Sequence, residues 1–142
     1  MSRSELVTKN KNVYRRFIQE IFNDGRLDQL SELVSESYIL HDAPPGMPSG
    51  PEAIKQIVSM FRTGFPDLVI TIDHLIGEGD MLAAKSTTQG THLGNIFGIP
   101  ATGKLIKISG LTMVSIKNGK LAASWVRNDM VGLIEQLEAN KK

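Results

Sequence analysis

The feature that most narrows the fold is a change of hydrophobic period at Pro66. Before it, apolar residues recur at helical spacing; after it, they alternate one by one. Leu6, Val13, Phe17 and Ile21, widened by Val7, Tyr14, Ile18 and Phe22, predict an amphipathic helix from about Ser4 to Phe22. So broad a stripe packs on more than one neighbour. Asp24-Gly25 then turns the chain into a short helix running through Val34. "SYILHDAPPGMPSG" begins as a strand and breaks up in a proline-rich loop. Ser49-Gly50-Pro51-Glu52 marks a helix start, because proline fits the first turn and an acid there suits the helix dipole. Ile54, Ile57, Val58 and Phe61 form the buried side of that helix, which ends near Gly64-Phe65-Pro66.

Beyond Pro66, Leu68-Ile70-Ile72 alternate with Val69-Thr71-Asp73, and "MLAAKSTTQGTH" is the expected partner strand. Asn118-Gly119 lies between two strand-like runs and predicts a type I′ hairpin. Met130 to Leu137 closes the pattern with a short amphipathic helix. Helices first and a meander of long strands afterwards predict one α+β domain over residues 1–142, its helices packed on one face of a strongly curved, mostly antiparallel sheet. A sheet of this kind can curl into a cone whose open end is a pocket.

At 142 residues the chain can bury a core without disulfides, and it contains no cysteine, which excludes thiol catalysis and thiolate metal sites. Net charge is +1 with the cations scattered, so neither nucleic acid nor an anionic membrane is an expected partner. The N-terminal stretch has no signal-like apolar run, and cytoplasmic location is the expectation. The three histidines share no ligand spacing, and no metal is expected. "GIPATGK" departs from phosphate-loop spacing, and no GxSxG or GxGxxG occurs.

In the last strand Trp125, Arg127 and Asp129 point one way while Ser124, Val126, Asn128 and Met130 point the other. Trp125 and Asp129 then share a face, roughly 13 Å apart by standard strand rise. If that face lines a cavity, Trp125 is an apolar wall and Asp129 a carboxylate aimed inward, able to act as base and acid. Arg127 lies on the same face, so a structural Arg127–Asp129 ion pair is the competing reading. His41 stands where a strand gives way to loop, a common place for functional side chains. His92 opens the glycine-rich "HLGNIFGIPATGK", whose Ile96-Phe97 is either the tip of a flap over a pocket or a hydrophobic anchor. His74, beside Asp73 in a strand, is expected to be structural.

"GTHLGNIFGIPATGK", the following "NGK", and the spacing of Trp125, Asp129, Gly132, Leu133, Gln136 and Leu137 resemble the SnoaL-like polyketide (ester) cyclases of the nuclear transport factor 2-like superfamily. The N-terminal "VYRRFIQEIFNDGRLDQLSELVSESYILHDAPPG" resembles that family's opening helices and first strand, so the likeness runs from Val13 to Leu137. It implies a cone-shaped α+β domain and a cofactor-independent intramolecular aldol ring closure on a hydrophobic, aromatic polyketide ester. It also implies Asp129 as the acid/base, with His41, His92, Trp125 and Phe97 contacting substrate, and a homodimer or homotetramer. Ala123 replaces a glutamate common two before the tryptophan, and Asn128 stands where a larger apolar residue is common. The superfamily's isomerases, hydrolases and non-catalytic ligand binders are the alternatives.

Overall fold

The computed structural model describes residues 2–138. Helix α1 (Arg3–Arg16) is capped by the Ser2 hydroxyl, which accepts the Glu5 backbone N–H at 3.1 Å. The expected single helix to Phe22 is instead two: α1 passes into a π-helical segment, Phe17–Asn23. Its wider turn ends with the Asp24 N–H on the Gln19 carbonyl at 2.8 Å. Phe17, Ile18 and Ile21 are buried in this segment. A 3₁₀ turn, Leu27–Gln29, and a single turn of helix α2 (Leu30–Leu33) follow.

Strand β1 (Val34–Leu40) starts three residues before "SYIL". Helix α3 (Pro51–Gly64) begins where proline and glutamate predict, with Gly50 before it at φ 68°. Strands β2 (Val69–Glu78), β3 (Met81–Thr91), β4 (Leu105–Lys117) and β5 (Lys120–Asn128) then form a meander, and α4 (Met130–Glu138) ends the described chain. The β4–β5 turn is the expected one: Asn118 and Gly119 both have positive φ, 52° and 75°.

The sheet order is β1-β5-β4-β3-β2, antiparallel except for the parallel β1–β5 pair. The α+β class and the mostly antiparallel sheet agree with the sequence. Since β1 and β2 are opposite edges, the connection through α3 crosses the whole sheet. Irregularities in register occur at Ile72/His74 and Ser115/Ile116, where an extra residue bends a strand. One core cluster joins Tyr14, Ile21, Ile54 and Val58 to Leu82, Val114 and Leu121; a second joins Phe65 and Ile96 to Ile106, Ile108, Leu133 and Leu137. Leu121 and Leu133 are fully buried, so truncating either to alanine costs about 2–5 kcal/mol. Both clusters lie on one side of the sheet.

Candidate active site

Between that side of the sheet and the helices lies a cavity of about 390 Å³. Ile70, Ser86, Thr88, Ile108, Thr112, Ser124, Val126 and Asn128 supply its sheet wall. Tyr14, Phe17, Ile18 and Phe22 close one side, and Ile54, Ile57 and Phe61 of α3 another. The rim is formed by the loop carrying His41, Asp42, Ala43, Pro44 and Met47, together with Phe97 and Met130. A larger hollow of about 680 Å³ lies over the opposite, outer face, among Ile76, Leu111, Met113, Trp125 and Arg127. The inner cavity is the better candidate, since aromatic walls there surround several convergent polar groups.

Strand β5 decides which residues enter it. Ser124, Val126 and Asn128 face inward, so alternation sends Trp125 and Arg127 to the outer face. This corrects the expectation that Trp125 walls the cavity. Its indole instead lies flat against the His41 ring, centroids 4.3 Å apart and planes 1° from parallel. Parity does not extend to Asp129, because β5 ends at Asn128. Asp129 is exposed and caps α4, its Oδ1 accepting the Gly132 backbone N–H at 2.9 Å. A Cβ at Gly132 would meet Oδ2 of Asp129, so a larger residue there requires the capping carboxylate to shift. Arg127 does not pair with Asp129. Its Nη2 donates to Asp42 Oδ2 at 2.7 Å and its Nη1 to the Val126 carbonyl at 2.9 Å.

His92 does not line the cavity. It is fully buried beside Phe65, ring centroids 5.6 Å apart. Its Nδ1 accepts the Thr102 N–H at 3.2 Å and lies 2.9 Å from the Thr102 hydroxyl, fastening the glycine-rich loop. That loop is tied to the end of α3 by the Leu93 and Gly94 N–H groups on the Gly64 carbonyl, 3.0 and 3.1 Å. Ile96 is the buried anchor. Phe97, with φ 52° and 41% exposed, sits at the rim with its ring edge-on to Phe61 at 6.1 Å. A bulky residue held at positive φ is uncommon.

Residues 12–137 match the family described as SnoaL-like polyketide cyclase. The chain belongs to that family. Among named relatives, the aklanonic acid methyl ester cyclase DauD of Streptomyces sp. (strain C5) is 29% identical over 133 residues, covering 89% of this chain and 80% of that one. The nogalonic acid methyl ester cyclase of Streptomyces nogalater is 29% identical over 119 residues, covering 82% and 88%. Among solved structures, TsrD from Streptomyces laurentii superposes with a TM-score of 0.84 at 27% identity, over 93% of this chain and 96% of that one. IdmH from Streptomyces antibioticus gives 0.80 at 28%, over 92% and 99%.

In this SnoaL-like cyclase the two tyrosines were not singled out as site residues by sequence, yet both line the cavity. Burial pushes the Tyr14 hydroxyl up to about 12, partly offset by the Thr112 side chain. Burial also raises Tyr38, offset in part by Ser124. Both phenols are therefore neutral donors at ordinary pH. Tyr14 lies within the apolar stripe of the first helix and Tyr38 within the first strand, and nothing in their spacing shows that the two converge. Among the described residues no three His, Asp or Glu side chains come together as a metal site, and no helix is long and apolar enough to cross a membrane.

Proposed function

We propose that the protein closes a ring in an aromatic polyketide ester by intramolecular aldol condensation: the names of its relatives specify cyclisation of methyl esters, and the aldol step is what the family resemblance implies. A base removes a proton from the carbon α to a carbonyl. The resulting enolate carbon attacks a second carbonyl of the same molecule, and the new alkoxide takes the proton back. Atoms balance with no redox change, and the conjugated substrate itself spreads the enolate charge. The observation that carries the reading is the cavity: aromatic walls sized for a drug-like ring system, with neutral donors Tyr14 and Tyr38 inside. Neutral phenols stabilise a developing enolate or alkoxide without titrating.

Asp129 is the acid/base in this proposal. Its support is the family resemblance, its place between the lining residues Asn128 and Met130, and an Oδ2 left outside the Gly132 cap bond. His41 contacts substrate carbonyls from the rim, and Phe97 covers the ring system. A second reading keeps the reaction but gives the proton transfer to His41, because His41 itself lines the cavity and Asp129 does not.

A homo-oligomer covering the outer face completes the proposal. Ile39, Ile76, Leu111 and Met113 are about half exposed or more there, and the nearby cations Lys85 and Arg127 are already neutralised by Asp73 and Asp42. Such a surface is largely apolar with these charges paired, which suits a second copy.

The direct test incubates the protein with aklanonic acid methyl ester in D₂O and follows it by liquid chromatography and mass spectrometry. Ring closure gives a product of shifted retention, isomeric with the substrate apart from exchanged deuterium. Binding without conversion would identify a ligand-binding module instead.

A further inference from the structure

We infer that Trp125 and Arg127, on the face of the sheet opposite the cavity, are positioning residues that hold the rim loop 41–47 over the substrate. The inference rests on the reading of the inner cavity as the reaction chamber.

Strand β1 is an edge strand, and the His41 N–H extends its bonding to β5 by donating to the Ser124 carbonyl at 2.9 Å. At Asp42 the chain turns through φ 56°, a left-handed conformation, and then runs back across the cavity mouth through Ala43, Pro44 and Met47. The two residues at this departure point are each gripped from the other side of the sheet. Trp125 stacks flat on His41, and Arg127 pairs with Asp42 at 2.7 Å. Trp125 and Arg127 are consecutive members of the outward row of β5, while Ser124, Val126 and Asn128 of the inward row line the cavity. One strand thus sets both the wall of the chamber and the path of its rim.

The two grips reinforce each other. The Arg127 and Asp42 side chains are 66% and 64% exposed, and an ion pair so open to water is weak alone. Its guanidinium is nevertheless pinned by a second bond to the Val126 carbonyl, and the neighbouring aromatic stack fixes the loop one residue earlier. Neither outer-face side chain touches the cavity, so both act only through His41 and Asp42.

The test compares Arg127→Ala, Arg127→Lys, Trp125→Ala and Trp125→Phe with the wild-type protein, each confirmed to keep its oligomeric state by light scattering. Amide hydrogen exchange at residues 41–47 should speed up at least tenfold in both alanine variants, with β3 and β4 unchanged. With aklanonic acid methyl ester as probe, KM and the dissociation constant should rise about tenfold in Arg127→Ala while kcat stays within about threefold. Lysine and phenylalanine should restore most of each effect, and Asp42→Ala should add nothing to Arg127→Ala. Unchanged exchange at 41–47 overturns the inference, as does faster exchange with unaltered KM and binding. If the wild-type protein neither binds nor converts the probe, the proposed reaction fails, while exchange at 41–47 still decides whether the outer face holds the loop.

Discussion

His41 and Trp125 lie face to face, 4.3 Å between ring centroids, although His41 lines the inner cavity and Trp125 the outer face of the sheet. The pair forms where β1 ends beside β5, where a residue just past the end of one strand can reach a side chain on the far side of its neighbour. A side chain on the outer face therefore contacts one that lines the cavity.

The cap observed at Asp129 and the proton transfer proposed for it can be separated by mutation. Asparagine caps helices as well as aspartate does, so Asp129→Asn should keep the Gly132 bond and an unchanged melting temperature. It cannot exchange a proton, and kcat should fall by about 10²-fold or more. Full activity in this variant would assign the proton transfer elsewhere, and a comparable loss in His41→Gln alone would favour the histidine.

Gly132→Ala provides a complementary case. The methyl group would displace the Asp129 carboxylate and break the cap, a cost of about 1 kcal/mol. Alanine recovers a similar amount, about 1 kcal/mol, through helix propensity. Denaturant midpoints should thus barely move while kcat drops with the misplaced carboxylate.

Tyr14 ties stability to alkaline pH. Its folded-state value of about 12 lies above the ordinary 10.0, so its contribution is complete below pH 10 and is lost as pH rises toward 12. Tyr14→Phe should flatten the decline in unfolding free energy over that window, measured by denaturant titration. At neutral pH the same variant removes a donor from the cavity and should lower kcat about 10²-fold.

Phe97 is displayed at the rim, so Phe97→Ala should leave the melting temperature nearly unchanged. Loss of one aromatic contact, about 0.5–1.5 kcal/mol, raises KM for an aromatic ester about two- to tenfold. An unchanged KM in steady-state kinetics would remove Phe97 from the substrate's surroundings.

Ile76→Lys and Met113→Lys place charges on the exposed outer face. If the proposed homo-oligomer forms through this face, both should convert it to monomer in size-exclusion chromatography with light scattering. A wild-type monomer would leave that face without its proposed partner.

Much of this was legible in the chain itself. The helical stripe of α3, the Pro51 start, the Asn118-Gly119 hairpin and the alternation of β2 follow from local chemistry, and the late motif carried the family. The π-helical turn at Phe17 was not legible, because a single widened turn leaves the apolar stripe nearly unaltered. The cavity face of β5 was also misassigned. Trp125 belongs to the more apolar-looking row, but the outer face is itself rich in apolar side chains such as Leu111 and Met113. Bulk therefore could not tell inside from outside.

Sequence alone determined two rows of side chains on each strand, the Asn118-Gly119 turn, and a loop at His41. Only the tertiary structure decided which row meets the helices, that Arg127 finds Asp42 rather than Asp129, and that Tyr14 and Tyr38 converge on one cavity. The reason is range. Periodicity and capping act within a few residues, whereas Arg127 and Asp42 are 85 residues apart and meet only because β1 pairs with β5.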